Sequence, residues 1–251
     1  MLARRFYPIS DVKRQGVLKE EMQTDDLIRS ALDKGQPALS EYASKKLLSL
    51  YGIPITREKL SHSAEEAVSA AADLGFPVVL KACSPELMHK SEHGCIELNL
   101  RSEGDVREAY GRISRSIDMK LEGILVQEMV SGQRELVAGL TRDPQFGPCV
   151  MLGIGGMMTE VFEDTAFRMA PFGMIEAEDM TEELRFKAIL GAFRGQKPVD
   201  MKMLCRTLIA VGQIGLEIET VSELDINPMI ITPEGRVVAV DALVLLRRNV
   251  K

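Results

Sequence analysis

The sequence predicts an α/β or α+β fold with mixed sheets, because helix-type and strand-type patterns alternate over its 251 residues. Segments such as ALSEYASKKLLSLYG carry apolar residues at helical spacing behind a serine cap and end at a glycine. Segments such as PVVLKACS and GCIELNL are β-branched or alternate apolar with polar residues, which is typical of strands.

In the first half, each element has its own start or stop signal. The helix ALSEYASKKLLSLYG is capped by Ser40 and ends at Gly52 and Pro54, and the helix SAEEAVSAAADLG ends at Gly75. The strands PVVLKACS and GCIELNL come next, and the helix SEGDVREAYGRISRSI follows. GILVQEMV and RELVAGLTRD then have the pattern of two strands joined by the turn SGQ.

The second half continues the alternation. PCVMLGIGG is an apolar strand that runs into glycines, and TEELRFKAILGAF and VDMKMLCRTLIAVGQIGLEI are predicted helices. VSELDINPMIIT and RVVAVDALVLL flank the turn PEG and are predicted to form an antiparallel hairpin.

Residues 1–35 are predicted to be a polar N-terminal arm exposed to solvent, because the ends of domains are often poorly ordered. The alternative is a short helix from Thr24 to Lys34, capped by TDD and stopped at Gly35. The solvated arm is the favoured interpretation.

Composition narrows the classes of function. A formal net charge of -6 and the lack of tryptophan argue against a nucleic-acid-binding surface. The four cysteines form no CxxC pair, which argues against a structural zinc site. The sequence shows neither a signal-peptide pattern nor the apolar length of a membrane span, so a cytoplasmic protein is expected.

Two of the three histidines lie in PELMHKSEHGCIEL, between two predicted strands. From these residues alone, three interpretations are open: a zinc site, a buried core histidine, and a histidine that carries a phosphoryl group. The third has a chemical basis, because a neutral imidazole nitrogen is a competent nucleophile near neutral pH.

The last hairpin brings oxygen ligands together. Asp225 and Asn227 lie two apart on one strand and so share a face, and the hairpin can set Asn227 opposite Asp241. Carboxylate and amide oxygens on neighbouring strands suit Mg²⁺. The alternative is that these residues only mark turns, although an aspartate within an apolar strand is costly unless it is used.

Three further features are weak signals when taken singly. Lys81 follows a buried strand and can reach nucleotide phosphates, or it can be an ordinary surface lysine. Glu135 interrupts an apolar alternation in QREL. The glycines of GIGGMM can cradle a phosphate or form a tight turn.

The order of these features is more specific than any one of them. The strand lysine, the histidine loop, VQEMVSGQRE, TRDPQFGP, GIGG and INP followed by Asp241 resemble the ATP-grasp (β) subunit of ADP-forming acyl-CoA synthetases of the acetate–CoA ligase type, within the succinyl-CoA synthetase superfamily. The resemblance covers roughly residues 39–246 and implies an ATP-grasp fold of two lobes. These lobes are expected at 36–123, with the phosphohistidine loop, and at 124–251, with the Mg-nucleotide site.

The resemblance also implies roles for particular residues. Lys81 would contact the nucleotide phosphates, and Glu135 the ribose or phosphates. The adenine would lie against a hinge formed by Gln127, Glu128, Met129 and Val130. Asn227 and Asp241 would hold Mg²⁺.

His89 is similar to the family's phosphohistidine, which takes a phosphoryl group in relay and passes it to ADP. This loop departs from the family's pattern, since Glu92 replaces an aspartate and Cys95 a glycine. His93 follows Glu92 and is interpreted as a tolerated loop residue, with a second phosphoryl acceptor as the alternative.

The implied reaction is acyl-CoA + ADP + phosphate = acid + CoA + ATP, with ATP/ADP and Mg²⁺ bound by this chain. The CoA-binding and acyl-transfer domains have no counterpart here, so the implied partner is a separate α subunit, in the family's common heterotetramer. The alternatives are an ATP-grasp ligase that forms an acyl phosphate directly, and a non-catalytic nucleotide-sensing subunit.

Overall fold

The structure is a computed structural model that describes residues 11–87, 95–156 and 164–247, with side chains described from residue 22 onward. Within these ranges the chain forms two antiparallel sheets with helices packed on them. The helices are α1 (Asp11–Asp33), α2 (Glu41–Leu50), α3 (Ala64–Leu74), α4 (Glu103–Ser116), α5 (Met174–Glu183) and α6 (Met201–Glu217). The strands are β1 (Glu58–Ser61), β2 (Val78–Cys83), β3 (Ile96–Leu100), β4 (Gly123–Glu128), β5 (Arg134–Asp143), β6 (Gly147–Ile154), β7 (Thr165–Met169), β8 (Val221–Ile231), β9 (Val237–Ala239) and β10 (Ala242–Leu246).

The smaller sheet has the strand order β1-β4-β2-β3. Helices α3 and α4 cover one face, and their alanines and Ile113 pack against Val78, Leu80 and Val126 of the strands. Because β2 is buried along its whole length, its one charged residue, Lys81, lies inside the protein.

The larger sheet has the order β10-β8-β5-β6-β7, with β9 also paired to β8. Helix α6 covers one face of it and buries Leu204, Leu208 and Val211 in the main core. The other face is more open, and along β8 the side chains of Glu223, Asp225 and Asn227 are exposed between buried neighbours. Strand alternation therefore puts the polar residues of β8 on one accessible face.

The mixed α/β architecture and most of the predicted elements are confirmed. The side chains of Ser40, Ser63 and Ser102 cap α2, α3 and α4, as helix N-caps do. Strand β5 has the predicted bounds of RELVAGLTRD, and α6 occupies most of the predicted helix 199–218.

The prediction of one helix over TEELRFKAILGAF, residues 181–193, is wrong. Helix α5 ends at Glu183, and only a short 3-10 turn at Lys187–Leu190 follows. The Asp164 carboxylate accepts hydrogen bonds from the backbone N–H groups of Arg185 at 2.8 Å and Phe186 at 2.9 Å. These bonds to a distant carboxylate replace the helical bonds that would have continued the helix.

The solvated N-terminal arm is also corrected. Helix α1 is longer than the alternative helix from Thr24 to Lys34, and its last two turns pack on the main core. Ile28 and Ala31 are buried, with Leu27 and Leu32 partly buried beside them. This spacing of i, i+3, i+4 is that of an amphipathic helix, whose apolar stripe stabilises it against the core.

The two cores divide the chain elsewhere than at the predicted lobes 36–123 and 124–251. Strand β4 runs through residue 128 and is central to the smaller sheet. Residues Leu39, Leu47, Leu48 and Ile53 pack in the core of the larger sheet, although they precede the smaller sheet in the sequence. Helix α2 joins that core through Leu47 and Leu48, and just before the helix Leu39 N–H donates to Val244 O of β10 at 2.9 Å.

No helix in the described part of the chain combines the length and the hydropathy of a membrane span.

We predict that Ile28→Ala lowers the free energy of unfolding by about 2–3 kcal/mol, near the low end for a buried isoleucine because the site lies at the edge of the core. Arg29→Ala is the matched control, because Arg29 is exposed on the same helical turn. Urea denaturation of both variants measures the difference. Equal stability of the two variants would contradict the packing of α1 on the core.

Candidate active site

A group of buried charges lies where the two cores meet. The ammonium of Lys81, on β2, donates to Glu41 Oε1 at 2.8 Å and to Asp241 Oδ2 at 3.3 Å. Glu41 begins α2 and Asp241 lies between β9 and β10, so this one side chain ties three segments together. The Lys81 side chain is 5% exposed, that of Glu41 1%, and that of Asp241 28%. Lys81 therefore lies between a partner inside the protein and a partner that reaches solvent.

A second lysine stands beside the first. Lys45 Nζ lies 2.8 Å from Glu41 Oε1 and 2.7 Å from Gln127 Oε1, and it forms an ion pair with Glu58. It also donates to Thr56 Oγ1 at 3.3 Å. Glu41 Oε1 is thus shared by both lysines, and it separates two buried positive charges that would otherwise repel each other.

The carbonyl of Val240 accepts from both lysines, at 3.2 Å each. This carbonyl is available to the lysines because of a proline in the neighbouring strand. Val240 N–H donates to Pro228 O at 3.0 Å, but Pro228 has no N–H with which to complete the usual reciprocal pair. Proline in the INP segment therefore leaves this carbonyl to the lysines, and β9 and β10 are two strands instead of the one predicted for RVVAVDALVLL.

Burial and neighbouring charges shift the pKa values of Lys81 and Glu58 in opposite directions. Burial would lower the pKa of Lys81, but Glu41 and Asp241 together hold it above the ordinary lysine value. Lys81 is therefore a permanent cation at neutral pH. Burial raises the pKa of Glu58, and the charge of Lys45 opposes that rise.

The predicted register of the last hairpin agrees with the structure. Met229 pairs with Ala239 and Ala242 pairs with Ile226, and both pairs follow one register that sets position 227 opposite position 241. Desolvation and the nearby charge of Asp241 raise the pKa of Asp225. Strand alternation puts Asp225 and Asn227 on one accessible face, and the register sets Asp241 opposite Asn227, so these residues offer the oxygen atoms that a hard divalent cation prefers. That chemistry fits Mg²⁺, with Asn227 and Asp241 as the predicted ligands.

Glu135 and the GIGG glycines are neighbours in the fold. Gly155 N–H donates to Glu135 O at 2.8 Å, and a Cβ on Gly155 would lie 3.0 Å from the Glu135 backbone. Gly156 adopts φ +77 and passes the Glu135 carboxylate closely. These glycines are thus required by the close approach of β6 to β5, and Glu135 lies on the same open face as Asp225 by strand alternation.

The four predicted hinge residues have different environments. Gln127 is buried, and its side chain is held by Lys45. Glu128 accepts from Arg57 Nε at 2.7 Å and from the Arg57 backbone N–H at 2.8 Å. Met129 has the most exposed side chain of the four and offers apolar surface to solvent. Val130 is half-buried and leads into the turn before β5.

The predicted phosphoryl carrier His89 lies outside the described residues, as do Glu92 and His93, which belong to the segment 88–94. The chain enters that segment at Leu87, after the buried end of β2, and leaves it at the buried Cys95, before β3. The segment thus joins the strand that carries Lys81 to its neighbour in the smaller sheet.

Sequence reasoning missed Glu41, Lys45 and Glu58. A signal was present in α2, because Glu41, Ser44, Lys45 and Leu48 follow the spacing i, i+3, i+4, i+7 of a single buried helix face. Two charged residues on the apolar face of a helix are costly unless they are paired. This conflict between pattern and charge could have marked them as site residues.

Comparison with known proteins places these features in a family. The family of ATP-grasp domains matches residues 30–246. The chain is 38% identical over 226 residues to the β subunit of acetate–CoA ligase (ADP-forming) I of Pyrococcus furiosus, covering 88% of this chain and 97% of that one. It is 35% identical over 231 residues to acetate–CoA ligase (ADP-forming) I of Archaeoglobus fulgidus, covering 90% of this chain and 33% of that longer protein.

A solved structure agrees with the sequence matches. Acetyl-coenzyme A synthetase 1 of Ca. Korarchaeum cryptofilum, in complex with coenzyme A, Ca-AMPCP and HgCl+, superimposes with a TM-score of 0.85 at 44% identity. The match covers 89% of this chain and 100% of that chain. The protein therefore belongs to the ATP-grasp family. Within it, the chain belongs with the β subunits of the ADP-forming acetate–CoA ligases, in agreement with the resemblance described above.

We predict that Lys45→Met lowers the free energy of unfolding by about 3–5 kcal/mol at neutral pH, because it leaves buried carboxylates without the cation that pairs with them. The deficit should shrink on acidification. Without Lys45, the pKa of Glu58 in the folded state rises further above its unfolded value. As the pH falls, Glu58 is therefore protonated in the folded variant before it is protonated in the unfolded chain, and this protonation removes the cost of the unpaired buried charge.

Lys59→Met is the matched control, because Lys59 lies on β1 next to Glu58 and forms an exposed ion pair with Asp73. It should cost at most about 1 kcal/mol and show no such pH dependence. Denaturant unfolding at several pH values measures both variants. A deficit for Lys45→Met that is small, or that grows on acidification, would contradict a buried network held by Lys45.

Proposed function

We propose that this chain is the nucleotide-binding subunit of an ADP-forming acyl-CoA synthetase and transfers a phosphoryl group between His89 and ADP. The overall reaction is acyl-CoA + ADP + phosphate = acid + CoA + ATP. The observation that carries this proposal is the buried Lys81, held next to the predicted metal ligand Asp241 at the junction of the two cores. A fixed cation beside oxygen ligands is the arrangement that charge neutralisation in phosphoryl transfer requires.

Each site residue then has a chemical task. Lys81 would bind phosphate oxygens as a point charge, and Asn227 and Asp241 would hold Mg²⁺, which would supply further neutralisation of phosphate charge. Met129 and Val130 offer the purine an apolar surface at the cleft edge, while Gln127 and Glu128 fix that segment through Lys45 and Arg57. Glu135 contributes a carboxylate on the open face for the ribose or the phosphates.

His89 is the proposed phosphoryl carrier. Towards ATP, a terminal oxygen of ADP attacks the phosphorus, a P–O bond forms, and the P–N bond to the imidazole breaks and returns a neutral ring. In the reverse direction the ring nitrogen attacks the terminal phosphorus of ATP and ADP leaves. A solved structure of the Korarchaeum protein with Mg-AMPPCP is described with its phosphohistidine segment pointing towards the nucleotide-binding site, which supports this role.

The proposed partner is a separate α subunit that carries the CoA-binding and acyl-transfer domains. The Pyrococcus relative is itself a β subunit, and in the Archaeoglobus relative the matching segment is one third of a longer chain. The likeness to a β subunit over almost its whole length supports a heteromeric enzyme, and we propose a heterotetramer of two copies of each subunit in the cytoplasm. The acyl group would be selected by that partner.

The experiment is transfer of label from γ-labelled ATP with Mg²⁺ onto the purified chain, with the α subunit added in a second series. We predict a label that is acid-labile and base-stable, and that is lost in His89→Ala. His62→Ala is the matched control, because His62 is exposed next to the cap of α3 and far along the chain from the loop. It should retain the label.

Acyl-CoA synthesis that persists in His89→Ala would favour the direct formation of an acyl phosphate. Binding of ADP without any labelling, even with the α subunit present, would favour a nucleotide-sensing subunit. Either result would contradict the proposed relay.

A further inference from the structure

We propose that Glu41 is a positioning residue that holds Lys81 in the cleft while Asp241 exchanges this lysine for Mg²⁺. The inference rests on the proposed function, since it assumes that nucleotide and Mg²⁺ bind at Lys81 and Asp241. Glu41 was not among the site residues that the sequence predicted.

The geometry gives Lys81 two carboxylate partners of different kinds. Glu41 Oε1 lies 2.8 Å from Lys81 Nζ and is almost fully buried, whereas Asp241 Oδ2 lies at 3.3 Å and the Asp241 side chain is partly exposed to solvent. The Lys81 contact to Glu41 is thus the shorter one, and it lies on the side away from the open face. A cation that enters from the cleft reaches Asp241 and leaves Glu41 in place.

Mg²⁺ and Lys81 compete for Asp241. A divalent ion at Asp241 removes one of the carboxylates that Lys81 now contacts and adds positive charge beside it. If Asp241 were its only partner, Lys81 would resist this exchange, and Mg²⁺ would bind less well. Glu41 supplies the charge that lets Lys81 release Asp241 without leaving the site.

Glu41 also balances the second lysine. Its Oε1 atom contacts Lys45 Nζ at 2.8 Å as well as Lys81 Nζ, and both ammonium groups share the Val240 carbonyl. Loss of the Glu41 charge would therefore leave two neighbouring cations with less neutralisation. Such a site would favour the metal-free nucleotide anion and disfavour its Mg²⁺ complex.

The test is the effect of Mg²⁺ on ADP affinity in Glu41→Gln. Calorimetric titration of the full-length chain with ADP, once in MgCl₂ and once in EDTA, gives the ratio of the two dissociation constants. We predict that this ratio falls by at least about fivefold from wild type, which is the lower end of usual coupling between two sites. ADP affinity in EDTA should be unchanged or higher, which a general loss of structure would not produce.

Glu58→Gln is the matched control. It removes a buried carboxylate from the same network, but Glu58 pairs with Lys45 and Thr56 instead of with Lys81. Its ratio should stay near that of wild type. If Glu41→Gln does not fold, Glu41→Asp replaces it, because a carboxylate shorter by one methylene keeps the charge but cannot bridge both lysines.

The outcomes separate the two proposals. If wild type binds ADP more tightly with Mg²⁺ and Glu41→Gln keeps the wild-type ratio, the role of Glu41 is overturned and the proposed function stands. If Glu58→Gln lowers the ratio as much as Glu41→Gln does, the effect belongs to buried charge in general, and the role of Glu41 is again overturned. If wild type binds no ADP under either condition, the proposed function itself fails.

Discussion

The shared contact of Glu41 with Lys45 and Lys81 is the interaction on which the rest of the site depends. Two ammonium groups buried side by side are tolerated only if anions lie between and around them. Glu41, Glu58 and Asp241 supply those anions, and they come from α2, β1 and the segment between β9 and β10. The network thus fixes how the smaller sheet, the larger sheet and α2 meet.

The fold builds this junction from simple local rules. Ser40 caps helix α2 and fixes Glu41 as its first residue. That first turn lies at the junction. Pro228 interrupts the pairing of β8 with the following strand, which turns the Val240 carbonyl towards the lysines and leaves Asp241 between two short strands. Together these features hold the Lys81 ammonium and the Asp241 carboxylate at one position, which is where we propose that phosphate and metal bind.

Local patterns predicted the parts of the molecule that local forces decide. The Ser40 cap located the start of α2, the stop at Gly75 located the end of α3, and hairpin geometry set Asn227 opposite Asp241. They failed where a distant partner competes with local structure. Asp164 lies more than twenty residues before Arg185, and its carboxylate accepts the hydrogen bond that ends the helical region after α5. Helix α1 packs on the main core, although the sequence favoured a solvated arm there.

The buried network was hidden from the sequence for the same reason. Lys45 and Val240 are 195 residues apart, so no periodicity relates them. Only the placement of charged residues on the apolar face of α2 hinted at their role. The resemblance to a known family found Lys81 and Asp241 but not the residues that hold them.

A crystal structure of the chain with ADP and Mg²⁺ tests the central claim most directly. The account predicts that Lys81 Nζ lies within about 2.7–3.2 Å of a phosphate oxygen, keeps its contact with Glu41, and has left Asp241 to the metal. A structure in which Lys81 remains on Asp241, or loses Glu41 while it binds phosphate, would contradict the account.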